Sequence, residues 1–406
     1  MYAIRYNIGE IGNTFVGQFI GNFAAGIMED IRIIKVRNRK QMDDFLNIVE
    51  VIYKDNRCYV PELYSDVKDV FNPRRNSAFS FCEVERFVAY AGGKCVGRVA
   101  GFINHRSNRR WNIRCVRFGY LEFIDNFLVA EALMKAVEQW GRDNGMNTIQ
   151  GPMGITDFDK EGMLVEGYEH KGSAIDIYNP SYYPTFMEAM NYRKAVDWLQ
   201  MHVEVPQQLP EKYKRAARYV RERTGLQVRK MTLGEMKGEY GLKAFQLLNE
   251  CYGTLFGFTP FTEEQMHEFI RKFIVLADPE MIPVVENPKG DIIGVAVTMH
   301  SLTEALQRTN GRLFPLGWWH LLKALKWKRS NHVDMLLIAV RPDYQGQGVN
   351  ALFFDDLISI YQKRGIKRAE TGPTLEENIM ALSQWKPFNP QIIKRRRCYT
   401  KELSSY

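Results

Sequence analysis

The segment Gln345–Asn350 has the residue types with the clearest chemical potential. An apolar stretch ends at Val340, Pro342 follows, and an apolar helical pattern begins at once after the glycines. A strand, a glycine turn and a helix in this order expose backbone N–H groups at a helix N-terminus, where they bind phosphate oxygens, and glycines let the backbone approach a ligand closely. We therefore predict a diphosphate-binding segment made of Gln345, Gly346, Gln347, Gly348, Val349 and Asn350.

Two better-known phosphate motifs do not fit this segment. No Lys-Ser or Lys-Thr pair follows Gly348, as a Walker loop requires. The second glycine pair and the later acidic residue of a dinucleotide-binding fingerprint are also missing. The alternative is a glycine-rich turn that binds no ligand.

The elements around this segment occur twice along the chain in the same order. The first half is predicted to contain a strand and helix over 32–54, a hairpin over 86–103, a strand near 116–124, a helix to Trp140 and a strand ending at Gly151. The second half is predicted to contain a hairpin over 281–299, a strand over 333–340, a helix over 349–363 and a strand ending at Gly372. The pattern favours an α/β (α+β) fold of two tandem units; two unrelated α/β domains are the alternative.

Composition and breaks set the expected boundaries. The 406 residues are 45% hydrophobic and 25% charged, with a net charge of +8, which suits a two-domain globular protein. We predict a poorly ordered extension at 1–27, a first unit at 28–204, a basic linker and helix at 205–228, and a second unit at 229–406. Six scattered cysteines favour a reducing, cytoplasmic setting and no metal site. The basic helix favours a solvated connector, so nucleic acid is not an expected partner.

The glycine segment resembles the acyl-coenzyme A loop of the GCN5-related N-acetyltransferase superfamily, with Asn350 in place of the usual small residue. The resemblance implies two tandem acyltransferase-like domains, each a mixed, mostly antiparallel sheet flanked by helices. It implies that acyl-CoA or acetyl-CoA is the co-substrate and that main-chain groups of Ile338 and Val340 pair with its pantetheine arm. Asn378 matches a residue near the cofactor; it is equally typical of a helix N-terminus. The first half lacks the glycine turn, so its copy is expected to be degenerate.

A narrower resemblance covers about Met28 to the C-terminus. The chain is similar to tandem-domain bacterial acyl-CoA N-acyltransferases, a family that resembles the bacterial ceramide synthases. The matching segments are Tyr59–Leu63, Val96–Arg98, Gly151-Pro152, Gly257–Pro260, Asn310–Arg312, Gly317-Trp318 and Glu377-Asn378. The resemblance implies N-acylation of a long-chain, sphingoid-type amine. An acetyltransferase of a small polar amine and a catalytically silent, membrane-peripheral binding protein are the alternatives.

Transfer to an amine needs a base for the amine and an acid for the leaving thiolate. Glu370, on the strand beside the expected thioester site, is the predicted base, and Tyr399 on the final strand is the predicted acid. Both residues are also compatible with purely structural roles. No Cys or Ser stands in a nucleophile motif, so the amine is expected to attack the thioester directly.

Three residues are predicted to bind substrate: Glu161, Phe258 and Trp318. Glu161 belongs to the glycine- and acid-rich segment 151–162, and Phe258 to one of the matching segments. Trp318 belongs to a Trp- and Lys-rich amphipathic stretch at 313–329, which is typical of a helix at an anionic membrane surface. A core-packed helix with extended lysine side chains is the alternative. A helix at the membrane surface predicts a lipidic amine and peripheral contact with the inner membrane face.

Overall fold

The computed structural model describes residues 30–156, 158–327 and 329–403, so the predicted extension at 1–27 lies outside the described residues. The strands found in these ranges are β1 Arg32–Lys35, β2 Cys82–Ala91, β3 Lys94–Asn104, β4 Cys115–Phe123, β5 Thr148–Gly151, β6 Met163–Glu166, β7 Arg193–Glu204, β8 Gln227–Lys230, β9 Pro283–Glu286, β10 Ile292–His300, β11 His332–Val340, β12 Arg368–Thr371, β13 Thr374–Leu375 and β14 Gln391–Glu402. The strands expected from the sequence are among them.

Helices cover both faces of these strands. The α-helices of the described ranges are α1 Arg39–Ile52, α2 Tyr64–Val70, α3 His105–Trp111, α4 Phe127–Asp143, α5 Tyr182–Ala189, α6 Glu211–Thr224, α7 Leu233–Lys237, α8 Glu239–Tyr252, α9 Glu263–Phe273, α10 Thr303–Thr309, α11 Gly317–Lys326, α12 Val349–Lys363 and α13 Ile379–Ser383. Helix α12 has the bounds expected from the sequence. None of the helices in the described part of the chain has the length and apolar character needed to cross a bilayer.

One sheet runs through both halves of the chain. Its order is β1-β2-β3-β4-β5-β14-β7-β12-β11-β10-β9-β8, with β6 beside β14 and β13 beside β7. Only the pairs β4–β5 and β11–β12 are parallel among the described strands. The expected mixed, mostly antiparallel architecture is confirmed, and the two parallel pairs occupy equivalent places in the two halves.

The halves exchange their last strands. Strand β14, at the end of the second half, pairs with β5 of the first half over Thr148–Gly151. Strand β7, at the end of the first half, pairs with β12 of the second half and with β14. The sequence did not predict this exchange. The domain boundaries at 204 and 228 therefore remain a prediction, and the sheet itself is continuous across them.

Local sequence explains where the main helices begin. The Asn126 side chain accepts hydrogen bonds from the backbone N–H groups of Leu128 and Val129, which caps α4. Helix α12 begins after Gly348, which has a φ of 82° that favours glycine. Helices α6 and α12 pack on one face of the second-half sheet, and α8 packs on the other. The expected element order therefore positions the glycine segment at the end of β11.

Candidate active site

Strands β11 and β12 run together for four residues and then separate. Their parallel pairing extends from His332 and Arg368 to Met335 and Thr371. On the other side of β11, Met335 pairs with Thr298 and Leu337 with Val297, so Leu336 is an extra residue, a β-bulge. The backbone N–H of Gly372 donates to the Met335 carbonyl at 2.7 Å, and no further β11–β12 pair follows. The two strands therefore separate beyond Met335 and Thr371.

A cavity of about 380 Å³ begins at this separation. Its volume lies in the range of small-molecule sites. Residues from β10, β11, α8, α9 and α13 line it together with loops of the first half, and most of these side chains are apolar. The apolar wall includes Met231, Met236, Ala244, Phe245, Leu248, Leu255, Phe256, Ile270, Phe273, Ile274, Val295, Val297, Leu336, Leu337 and Ile338. An apolar ligand longer than an acetyl group fits such a wall.

The glycine segment lies at the surface beside the cavity. Gly346 and Gly348 are exposed and have φ angles of 74° and 82°. Val349 is buried in the core and anchors the first turn of α12. The Asn350 amide donates to Gln384 Oε1 at 3.0 Å, and Gln384 lines the cavity. The N-terminus of α12 therefore adjoins the cavity, as a diphosphate attached to a cavity ligand requires.

The main-chain groups expected to meet pantetheine are held by side chains. The carbonyl of Ile338 accepts from the Tyr252 hydroxyl at 3.3 Å. The carbonyl of Val340 accepts from the Gln345 amide at 2.9 Å and from the Cys251 thiol at 3.2 Å. Strand β12 does not pair with either residue. Both carbonyls therefore accept hydrogen bonds from side chains and none from β12.

The remaining loop residues have local roles. The Gln347 amide donates to the Asp343 carbonyl at 2.6 Å. Asn378 lines the cavity and also caps α13, because its side chain accepts from the Ala381 N–H at 3.1 Å. Asn378 therefore caps a helix, as one expectation had it, and its contact with the cofactor remains a prediction.

Glu370 lies in a buried ion network at the centre of the sheet. Its Oε1 accepts from Lys394 Nζ at 2.7 Å and from the Gln200 amide at 3.3 Å, and its side chain is 18% exposed. Lys394 is fully buried and also contacts Asp176 at 3.1 Å. Thr371, the next residue on β12, lines the cavity, but Glu370 is not among the lining residues. Its role as base remains a prediction.

Asp334 faces the same network from β11, in register with Glu370. Burial, with the Glu370 charge as a second cause, raises the pKa of the Asp334 carboxyl to about 7. Three carboxyl groups, those of Glu370, Asp176 and Asp334, therefore lie around the Lys394 ammonium. Asp334, Asp176 and Lys394 were not predicted. Lys394 reaches Glu370 only through the strand exchange, and Asp334 does so through the register of β11 with β12, which the pattern of a single strand does not specify.

Two predicted site residues need correction. Tyr399 is fully buried in the core of the first half, and its hydroxyl donates to Glu188 Oε1 at 3.1 Å. Burial raises its pKa, and it is not among the cavity-lining residues, so it is not placed to protonate a thiolate there. Phe258 is also fully buried, packed on Phe261 behind the cavity wall. It supports the wall and does not contact a ligand.

The other two substrate predictions separate in space. Glu161 lines the cavity, where the acid-rich segment of the first half closes one side. Asp159, in the same segment, lines it too and accepts from the Thr156 N–H at 2.8 Å. Trp318 lies outside the cavity, on α11, and is 45% exposed. Glu161 therefore remains the predicted contact for the amine, and Trp318 belongs to an outer surface.

The first half has a matching but much smaller cleft. Strands β4 and β5 pair in parallel from Cys115 to Arg117 and then separate, with a bulge in β4. The cleft beyond has a volume of about 60 Å³. Glu122 lies within it, contacts Arg98 at 3.8 Å and accepts from the Tyr53 hydroxyl at 2.6 Å. Burial raises the pKa of Glu122 to about 7. These side chains partly fill the first-half counterpart of the second-half cavity.

Most of the apolar wall was not predicted. The part that α8 and α9 supply includes Ala244 and Leu248 of α8 and Ile270 and Phe273 of α9, which have helical spacing, a pattern that core packing produces as well. The described residues contain no group of three or more His, Cys, Asp or Glu side chains arranged to hold a metal ion.

Comparison with solved structures defines the class of fold. A tandem GCN5-related N-acetyltransferase from the clavulanic acid biosynthesis pathway superposes with a TM-score of 0.53 at 10% identity, over 93% of this chain and 99% of that one. The chain therefore has the GCN5-related N-acetyltransferase fold in its tandem form. No family model matches the sequence.

Two curated proteins are similar in sequence. The chain is 25% identical to protein YghO of Escherichia coli strain K12 over 378 residues, which are 90% of this chain and 94% of that protein. It is also 25% identical to the bacterial ceramide synthase of Caulobacter vibrioides over 317 residues, covering 78% of this chain and 82% of that protein.

Proposed function

We propose that this protein is an N-acyltransferase that moves a long acyl group from a coenzyme A or acyl carrier protein thioester to an amine of the sphingoid type. The observation that carries the proposal is the apolar cavity at the separation of β11 and β12, with the N-terminus of α12 beside it. The fold and the similarity to a bacterial ceramide synthase support it.

The residues present fit a thioester donor. The exposed glycines at 346 and 348 leave backbone N–H groups of the α12 N-terminus accessible to a diphosphate. Ile338 and Val340 offer main-chain groups to pantetheine amides, and the apolar wall accepts the acyl chain. Asn378 and Gln384 lie where the polar and apolar parts of the donor meet.

The reaction we propose is direct attack. The amine nitrogen forms a C–N bond to the thioester carbonyl carbon, the C–S bond breaks, the amine proton passes to a base, and the thiolate leaves as coenzyme A. Glu161 is proposed to bind the amine from the first-half side of the cavity. Glu370, whose neighbour Thr371 lines the cavity, is proposed to accept the amine proton through water. Cys251 is a poor alternative nucleophile, because burial raises its pKa to about 12 and its thiol donates to Val340.

Turnover with matched donors and acceptors tests the proposal. Thiol release is measured with palmitoyl-CoA or acetyl-CoA, each with a sphingoid base or with a small polyamine, and the product is identified by mass spectrometry. Release that requires palmitoyl-CoA and the sphingoid base supports the proposal. Preference for acetyl-CoA and the polyamine supports the small-amine alternative, and no release with any pair rejects the enzyme.

A further inference from the structure

An exposed apolar surface surrounds α11. We call it the tryptophan patch; its members are Phe314, Leu316, Trp318, Trp319 and Trp327, with exposed fractions of 78%, 63%, 45%, 43% and 66%. The Trp319 ring lies 5.8 Å from Trp318 and 5.7 Å from Trp327 between centroids, so the three rings form one continuous surface. Contiguous exposed apolar surface of this kind marks an interaction site.

Charge identifies what this patch fits. The segment 313–329 contains no acidic residue, and Lys323 and Lys326 are exposed on α11 beside the rings. Exposed Arg271 and Lys272 stand at the end of α9, and Arg329 contacts Asp278 at 3.3 Å. Tryptophan rings and lysines together suit the interface of a bilayer with anionic headgroups.

The inner face of α11 lies against the wall of the cavity. Leu321 and Leu325 of α11 pack in one cluster with Leu276 and Leu336. Leu336 itself lines the cavity. Leu276 lies between Ile274 and Ala277 in the chain, and both of these residues also line the cavity. Helix α11 and this part of the cavity wall therefore share one hydrophobic cluster.

The cavity reaches the surface at this place. Phe273 lines the cavity and is 39% exposed, and Val275, two residues later, is 71% exposed. We call Phe273, Ile274 and Ala277 the cavity mouth. Gln384, which also lines the cavity, belongs to a different wall, beside the first turn of α12. The mouth and the expected diphosphate site thus lie in different parts of the lining.

We propose that the tryptophan patch docks on an anionic phospholipid bilayer and that the cavity exchanges its apolar ligand with that bilayer through the mouth. The patch places the mouth at the level of the acyl chains, so a long chain enters without crossing water. The nature of the ligand rests on the proposed function, whereas docking and exchange are independent of catalysis.

Vesicle binding tests the docking surface. The full chain is sedimented with phosphatidylcholine vesicles that contain 30% or no phosphatidylglycerol. We expect Lys323→Gln/Lys326→Gln to weaken binding to the anionic vesicles by about 30-fold, from about 1 kcal/mol for each lysine. Trp318→Ser/Trp319→Ser is expected to weaken binding to both compositions. Leu128→Ser, which removes an apolar side chain of equal exposure on α4, is the control. Unchanged binding of both double variants overturns the docking surface.

Transfer of a fluorescent fatty acid tests the mouth. cis-Parinaric acid is loaded into anionic vesicles, and its arrival in the protein is followed by energy transfer from tryptophan. We expect Val275→Asp, at an exposed position beside the mouth and outside the cavity lining, to slow arrival at least about tenfold and Val275→Leu to leave it within about threefold of the parent chain. Equilibrium binding of parinaric acid added from solution should stay within about threefold for both. Equal transfer rates for the two variants and the parent chain overturn the mouth.

These readouts separate two failures. Exchange with vesicles but no thiol release from any acyl-CoA leaves this inference standing and rejects the proposed enzyme. Thiol release that is independent of vesicles and of the patch variants leaves the enzyme standing and rejects the membrane route.

Discussion

Met335 and Thr371 form the last aligned pair between β11 and β12, and the cavity begins directly beyond them. Leu336 bulges out of the β10 pairing at the same level, and Gly372 donates to the Met335 carbonyl. A side chain on Gly372 would come within 2.8 Å of the Leu336 carbonyl oxygen. The separation of the strands is therefore fixed by backbone contacts, and the ligand site it creates does not depend on a flexible loop.

Gly346→Ala is expected to weaken acyl-CoA affinity at least about tenfold, because a methyl group at an exposed backbone obstructs approach of the diphosphate. Gly365→Ala at the other end of α12 is the matched control. Both glycines have a positive φ, 74° and 67°, and both have open space around an added Cβ. The two variants should lose similar stability, about 1 kcal/mol. Equal acyl-CoA affinity in the two variants, measured by calorimetry, would reject the diphosphate assignment.

Ala244→Phe is expected to select against long donors. Ala244 lies on α8, lines the cavity and is 8% exposed, so a phenyl ring there occupies space that an acyl chain needs. We expect kcat/KM for palmitoyl-CoA to fall at least about tenfold, with acetyl-CoA turnover changed less than about threefold. Thiol release with both donors on one preparation provides an internal control. A parallel loss for both donors would place the acyl chain elsewhere.

Glu370→Gln tests the predicted base. If Glu370 is the base, its replacement by Gln lowers kcat by about 10²-fold or more and leaves the affinity for acyl-CoA unchanged. Lys394→Met is the companion variant, because it removes the buried ammonium that Glu370 and Asp176 share and is expected to cost about 3–5 kcal/mol of stability. A Glu370→Gln protein with a lower Tm and a kcat within tenfold of the parent would assign the residue to the ion network alone.

Asp334→Asn is expected to stabilise the protein at high pH. The folded pKa of Asp334 is about 7, raised from 3.8 by burial and by Glu370, so the folded state binds this proton more tightly than the unfolded state does. The contribution of this proton to the free energy of unfolding is therefore complete below pH 4 and is lost as the pH rises through 7. The variant should exceed the parent by about 2–4 kcal/mol at pH 8 and match it near pH 4.

Urea denaturation across this pH range measures the difference. Asp343→Asn is the control: the exposed Asp343 pairs with Arg341, which lowers its pKa. A constant difference between Asp334→Asn and the parent at all pH values would show that Asp334 does not titrate with a raised pKa.

The sequence predicted what local patterns encode. The glycine turn before Val349 determined the start of α12, and apolar runs bounded by turn residues located β10 and β11. The positions of Tyr399 and Phe258 were not predictable in this way. Tyr399 lies in the first-half core because β14 pairs with β5, and strand alternation does not specify a partner strand. Phe258 lies in an apolar segment whose burial depends on α8 and α9 folding over it.

The exchange of β7 and β14 makes the two halves interdependent during synthesis. Until residues 391–402 leave the ribosome, β5 and β7 lack the strand that lies between them, and each presents an open hydrogen-bonding edge. The first half therefore cannot close its sheet when its own last strand has been made. A nascent chain of this protein must remain partly open until β14 has been made, which lengthens its need for chaperones.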